Sequence, residues 1–345
     1  MYTLNTKINN QLSIWLLSMF LIVSIMILVG GLTRLTDSGL SITKWELFAG
    51  FLPPLNKKDW ILYFNLYKEI PEFKLQNFNM SLNEFKVIFW WEWAHRFLGR
   101  LIGISFLIPL LYFSFKIRLL KLLNFYLIFF LICFQGFIGW FMVQSGLINN
   151  VDVSHFRLSI HLVIAFIILS LIFWNYLLIN SNVSIKDNIN SFFPYFFLVL
   201  IFLQITIGAF VSGMDAGKIY NSWPLMGSTY FPNDNDFESL FKLTAFSDPS
   251  LVQFMHRNLA YVICIFYLII FYKIHKKKLK DLYKSVNILG FFIFLQILLG
   301  ILTILYGAQI YIASMHQLSS IFLVSSSIYF CYINNSLTNS FKITF

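Results

Sequence analysis

The sequence predicts an all-α, polytopic membrane protein with eight transmembrane helices, arranged as two pseudo-symmetric four-helix bundles. Three observations predict it. Of 345 residues, 58% are hydrophobic and only 12% charged, well below the charge of a soluble domain, and the mean hydropathy is +0.73. Uncharged runs recur at the ~20-residue length that crosses a bilayer. The second half of the chain repeats the first.

The first span is expected at about 12–33. Ile8–Thr33 is 26 uncharged residues, long enough to cross and too long for the apolar core of a cleaved signal. The second is expected at about 90–115, with Pro109 able to kink it. The third to sixth are expected at about 122–144, 156–179, 191–213 and 250–272. Ser285–Phe341 is 57 residues without an acid, Lys or Arg. That is too long for one span, and Tyr306-Gly307-Ala308-Gln309 divides it into about 285–306 and 311–333.

The connections predict the orientation. Lys116, Arg118 and Lys121 fall between spans two and three, Lys186 between four and five, and Lys273, Lys276, Lys277, Lys278, Lys280 and Lys284 between six and seven. By the positive-inside rule both termini are cytoplasmic, and the long loops 34–89 and 214–249 face outward. A bacterial cell inner membrane is the simplest home. The net charge of +10 is then an orientation signal rather than a nucleic-acid surface. Cys133, Cys264 and Cys331 all lie in apolar runs without CxxC or CxxCH spacing. A disulfide framework and covalent c-type haem are therefore not supported.

The duplication is gap-free in places. Gly30…Asp37-Ser38-Gly39…Trp45-Glu46-Leu47 matches Gly208…Asp215-Ala216-Gly217…Trp223-Pro224-Leu225 at an offset of 178. His95-Arg96 matches His256-Arg257, and Gln135…Gly139 matches Gln296…Gly300, both at 161; His161 matches His316 at 155. The expected halves are 1–185 and 186–345, with like spans running the same way.

Polar groups at membrane depth are costly and are kept mostly for function. Four of the six histidines, His95, His161, His256 and His316, fall one per span on spans two, four, six and eight. Each is expected roughly five residues into its span, ~7–8 Å below the outer boundary at 1.5 Å per residue. Two imidazoles at one depth on neighbouring helices can meet across a flat ligand or a metal, and haem iron takes axial histidine. Hydrogen bonding within the core is the plainer alternative for any one of them. A non-haem metal would call for three or more ligands. The second half offers two imidazoles with Gln253 in place of an acid, whereas in the first half Glu92 leaves a metal–carboxylate site open. His155 and His275 are read as structural.

Glu92 shares a helix face with His95 and Arg96. A carboxylate near a metal centre can take part in proton transfer, and an amide cannot. The Glu92/Gln253 difference therefore makes the first half a chemical site and the second a redox or structural one. Arg96 and Arg257 suit haem propionates, with snorkelling to headgroups as the alternative; Arg100 is read as a snorkeller. Gln135, Gln204 and Gln296, each followed by a glycine, read as helix contacts. Residues alone reach a membrane haem protein with a reactive site near the outer face.

Several segments together resemble the haem A synthase family, in the form shared by alpha-proteobacteria and mitochondria. They are Gly30-Gly31-Leu32-Thr33-Arg34-Leu35-Thr36-Asp37-Ser38-Gly39-Leu40-Ser41, Pro53-Pro54-Leu55-Asn56, Met80-Ser81-Leu82-Asn83-Glu84-Phe85-Lys86, Glu92-Trp93-Ala94-His95-Arg96, Asn221-Ser222-Trp223-Pro224-Leu225-Met226 and His316-Gln317. The resemblance covers nearly the whole chain and implies eight helices in two pseudo-symmetric halves. It implies oxidation of the C8 methyl of haem O to the formyl of haem A, by successive hydroxylations and loss of water, for use by cytochrome c oxidase. By similarity His256 and His316 hold a haem b cofactor, His95 and His161 bracket the substrate haem O iron, and Glu92 is the catalytic carboxylate. The cysteine pair of the Gram-positive branch is absent, since 34–89 contains no Cys.

The expected partners are the haem O substrate, the lipid bilayer and an electron donor or acceptor of unspecified identity. Contact with a haem O synthase and a homo-oligomer stay open, and nucleic acid is not expected. The alternative from another class is a non-catalytic haem-binding electron-transfer or haem-handling protein, such as a cytochrome b-like quinol module. Such modules place two histidines on each of two helices, whereas here each helix carries one.

Overall fold

A computed structural model describes residues 6–45, 49–148, 150–180 and 183–336. Glu46 and Leu47 of the repeated loop motif lie outside them. Eight long helices are present among the described residues: α1 (Thr6–Leu35), α4 (Leu82–Ser114), α5 (Leu119–Gln144), α6 (His155–Asn180), α7 (Phe192–Gly213), α8 (Pro249–Lys276), α9 (Lys280–Leu305) and α10 (Ile310–Asn335). Two short ones, α2 (Lys57–Tyr67) and α3 (Pro71–Leu75), lie in the first long loop. No strand occurs among the described residues, only an isolated bridge between Met226 and Thr229.

Seven of the long helices are apolar enough to cross a membrane, and the chain is a multi-pass membrane protein. The eighth, α10, matches the others in length but is diluted by Ser314, Ser319, Ser320, Ser325, Ser326 and Ser327. The hydroxyls of Ser314, Ser320, Ser325 and Ser326 donate to carbonyls within the helix. These hydroxyls are satisfied within the helix, as a span in hydrocarbon requires, whereas the buried Ser327 hydroxyl has no partner among the described residues. The turn Tyr306–Gln309 separates α9 from α10 where the sequence predicts the break, with Gly307 at φ +62° and Ala308 at φ +56°.

One boundary differs from expectation. Helix α4 begins at Leu82 rather than near residue 90. Ser81 accepts from the Glu84 amide, and Glu84 accepts in turn from the Ser81 amide. This capping box starts a helix independently of hydropathy, and Asn83, Glu84 and Lys86 hide the extra turns from a hydropathy reading. His95 consequently sits in the fourth turn of its helix, whereas His161, His256 and His316 sit in the second turn of theirs.

The chain divides into two compact units, Ile22–Ala165 and the remainder. In the first, the loop helices pack on the extended start of α4. Leu40, Ile42, Phe64, Tyr67, Ile70, Phe85, Phe89 and Val143 form its buried core, with Phe64 and Tyr67 each about 5 Å from the Phe85 ring. In the second unit, Asn334 holds the segment before α7, accepting from the Ile189 amide (3.1 Å) and donating to its carbonyl (3.0 Å). The repeat reaches the backbone as well. Asp37 and Asp215, which match at the 178 offset, both take the left-handed conformation, at φ +48° and +52°. Asp and Asn tolerate that region better than most residues.

Glu72 on α3 is 3% exposed, and its Oε2 has no hydrogen-bond partner among the described residues. Burial, followed by the negative charges of Glu92, Asp37 and Asp152, pushes its carboxyl from 4.5 up to about 8. Burial also raises the neighbouring Tyr67 phenol, whose oxygen accepts from Asn77 at 2.8 Å. The folded loop keeps a proton that the unfolded loop releases. Stability that is fully present below about 4.5 is therefore lost as pH rises through about 8. Limited proteolysis of loop 57–81 should show wild type cut faster at pH 8.5 than at pH 6. Glu72→Gln should abolish that difference, and a pH dependence retained by the variant would assign it to another group.

Candidate functional site

Each of the four histidines is seated against a glycine of the preceding long helix. A Cβ on Gly30 would lie 3.2 Å from His95 Nε2; one on Gly139 would lie 3.1 Å from His161 Cε1. The same atom on Gly208 would lie 2.9 Å from His256 Cε1, and on Gly300 it would lie 3.1 Å from His316 Cε1. A Cβ at Gly208 would collide with the imidazole and one at the other three would press on it, so glycine here serves close approach.

Three of the seats carry a glutamine one turn before the glycine. Gln135 Nε2 donates to the His161 carbonyl at 2.8 Å. Gln204 Nε2 donates to the His256 carbonyl at 3.0 Å and lies 3.3 Å from its ring Nε2. Gln296 Nε2 lies 3.3 Å from His316 Nε2, and Gln296 accepts from the Ser319 hydroxyl. The sequence reads these glutamines as general helix contacts; the structure gives each a histidine to hold. The spacing Gln-x-x-x-Gly, repeated on three spans, is the signal that could have revealed it.

The structure brings His95 and His161 together, with ring centroids 6.4 Å apart and planes at 77°. His256 and His316 lie within electrostatic range of each other. The Nδ1 atoms of His161, His256 and His316 are buried without a partner among the described residues, leaving a ring nitrogen available as a ligand. Among the described residues no group of three or more His, Cys, Asp or Glu is placed to hold a bare metal ion. Paired imidazoles fit the axial needs of a porphyrin iron. His275 stacks on Tyr283 at 4.5 Å and faces the Phe271 carbonyl at 2.9 Å. His155 stacks on Phe156 at 4.1 Å. Both suit a structural reading.

Glu92 is buried on α4. Its Oε2 accepts from the Ser41 hydroxyl and the Ile42 amide, both at 2.7 Å. Its Oε1 meets Arg96 Nη2 at 2.6 Å. Every partner is a donor, the set that suits an ionised carboxylate. Arg96 continues to the carbonyls of Ile42 (2.8 Å) and Lys44 (3.3 Å) and lies over the Trp45 ring at 5.2 Å.

The second half repeats this clamp at matching positions. Arg257 donates to the carbonyls of Tyr220 and Ser222, both at 2.8 Å, and to that of Leu225 at 3.3 Å. Gln253 donates to the Tyr220 carbonyl at 3.0 Å. Tyr220 and Ser222 correspond to Ile42 and Lys44 at the 178 offset. Neither propionate binding nor snorkelling anticipates this: both arginines tie the loop after the preceding long helix to their own helix. Arg100 shares a hollow with Lys44, Trp93 and Arg96, which sequence reasoning missed. In the second half Tyr261 holds the corresponding place, accepting from Trp223 Nε1 at 2.9 Å.

Comparison with known proteins places the chain in a family. Residues 13–328 match the model of the cytochrome oxidase assembly protein family, COX15-CtaA. The chain belongs to this family. Relatives in it include a heme A synthase of Pelagibacter ubique, 52% identical over 94% of this chain and 97% of its own length. One of Rickettsia bellii is 42% identical over 94% and 99%, and one of Flavobacterium johnsoniae 40% over 94% and 97%. The cytochrome oxidase assembly match spans all four histidine seats and both arginine clamps.

The clamp makes a prediction. Arg257→Gln removes charge-assisted hydrogen bonds worth about 1.5–3 kcal/mol each. Hydrogen exchange of the 219–226 backbone should speed up, while exchange within α9 stays slow. Unchanged exchange at 219–226 would mean that the arginine does not hold the loop.

Proposed function

We propose that this protein is a haem A synthase that oxidises the C8 methyl group of haem O to a formyl group by successive hydroxylations. The observation that carries the reading is an asymmetry between two otherwise like sites. Both halves place two glycine-seated histidines below an arginine-clamped loop. Only the first places a carboxylate, Glu92, where the second has the amide Gln253. Relatives named heme A synthase along nearly the whole chain support it.

In this reading the half within 1–185 is the reaction site and the half within 186–345 the cofactor site. His95 and His161 present their imidazoles to the iron of the substrate haem O. His256 and His316 would hold a haem b, which supplies one-electron transfer when bound. Their buried, unpartnered Nδ1 atoms and glycine seats suit that duty. Lys44, Arg96 and Arg100 line one hollow and give it the positive charge that carboxylate side chains of a porphyrin need. Arg257 has the matching place in the second half. The farnesyl tail of haem O suits an apolar groove within the membrane.

Glu92 has two duties compatible with its setting. Its carboxylate accepts protons as the methyl is oxidised, and its charge stabilises positive charge that develops on that carbon. Ser41 and the Ile42 amide keep it oriented, and Arg96 pairs with its other oxygen. The enzyme works in the bacterial inner membrane with both termini cytoplasmic and its sites near the outer face, following the basic inner connections. An electron donor or acceptor completes the reaction.

The test is co-expression with a haem O synthase in a host that lacks haem A, with the haems separated by chromatography. Wild type should make haem A. Glu92→Gln should keep haem b and accumulate haem O or a hydroxylated intermediate, with haem A formation down by ~10²–10⁴. Haem A formation near wild type in the variant would overturn the catalytic role of Glu92. Haem b alone from the wild-type strain would overturn the synthase reading in favour of a carrier.

A further inference from the structure

Among the described residues, three of the four glycine-seated histidines are held by a glutamine from the preceding helix, and the fourth is not. At an offset of 178 from Gln204, α1 carries Met26. Met26 points at α4: its Cε would lie 3.5 Å from a Cβ on Gly99, one turn beyond His95. A thioether cannot donate a hydrogen bond. No hydrogen bond reaches the His95 ring from the described residues; its near contacts are Gly30 and the His161 ring. Near His95 the Thr33 hydroxyl on α1 reaches the Trp91 carbonyl on α4 at 3.5 Å, one turn from the ring and not to it. By contrast, Gln135 pins α5 to α6 at the level of the His161 carbonyl, and Gln204 and Gln296 both reach imidazole nitrogens.

A resident cofactor and a passing substrate make opposite demands on their ligands. The resident gains from ligands fixed by a second partner. The passing one must be let go once transformed, and a ligand without such a partner has the lower barrier to leave. We propose that His95 is the exchangeable ligand of the first pair: haem O enters and the product leaves by making and breaking the bond between iron and His95, while His161 stays fixed. This deepens the haem A synthase reading and rests on it. Met26 is then a positioning residue, whose thioether in place of an amide leaves the imidazole without a second partner and so able to move. The step changes ligation only. The iron–nitrogen bond breaks with its electron pair returning to the imidazole, and no electron or proton is transferred.

The test loads the purified full chain with haem O, adds an excess of apomyoglobin as haem trap, and follows by chromatography how much haem O and haem b stay bound. Met26→Gln installs the amide of the other three seats. It should slow haem O loss by about threefold to tenfold, the worth of one hydrogen bond, with haem b retention unchanged. Gln135→Met makes the converse change at the partner ligand and should speed haem O loss, again without loss of haem b. Equal haem O loss in wild type and a folded Met26→Gln overturns the proposal. If Met26→Gln does not fold, Gln135→Met decides alone, and unchanged release there overturns it as well. Failure of the underlying reading is distinct: wild type, His95→Ala and His161→Ala would then all take up the same amount of haem O.

Discussion

The fold depends on one close contact made four times, a histidine ring laid against a glycine of the preceding helix. An imidazole inside an apolar bundle needs space and a partner. Glycine supplies the space, because any Cβ there would come within about 3 Å of the ring. In two cases the glutamine one turn earlier lies within reach of the ring, and in a third it takes the carbonyl of the same histidine. The helix pair must then meet at a fixed register, which sets where the loops above begin. A carbonyl presented by each of those loops is taken by an arginine next to a histidine, Arg96 or Arg257. Seat, register and clamp form one mechanical unit, and the chain contains it twice.

Function follows from how the two copies differ. Both loops are clamped, and the copies differ at the rings: both histidines of the second meet a glutamine amide. The first trades one amide for a carboxylate and another for a thioether. Glu92 brings a carboxylate beside His95, and Met26 offers the His95 ring no hydrogen bond. A site that must react and release needs both departures. A site that retains a cofactor needs neither. The first long loop adds a buried carboxyl, Glu72, that prefers its proton near neutral pH, so folding of the dome over the first site is itself tied to pH.

Most of the architecture was legible in the sequence. The spans were marked by uncharged runs, and the final break by Tyr306–Gln309, which only a turn explains in a 57-residue apolar stretch. The four histidines were legible because duplication placed each at a matching point. The start of α4 was not: a capping box and three polar residues mask a helix that leaves the apolar layer. Nor was the duty of Arg96 and Arg257. Their partners are main-chain carbonyls some 30 to 55 positions away, and a carbonyl has no signature in sequence. The Gln-x-x-x-Gly spacing was visible, yet its meaning required seeing which ring each pair holds.

The central claim is that four similarly seated histidines form two pairs of unlike duty. It is tested most directly by counting haems, by type, in purified alanine variants of each histidine from cells that also make haem O. His256→Ala and His316→Ala should lose haem b. His95→Ala and His161→Ala should keep haem b and lose haem O and haem A. Loss of haem b from the variants of the first pair, or its full retention in those of the second, would contradict the assignment of the two halves.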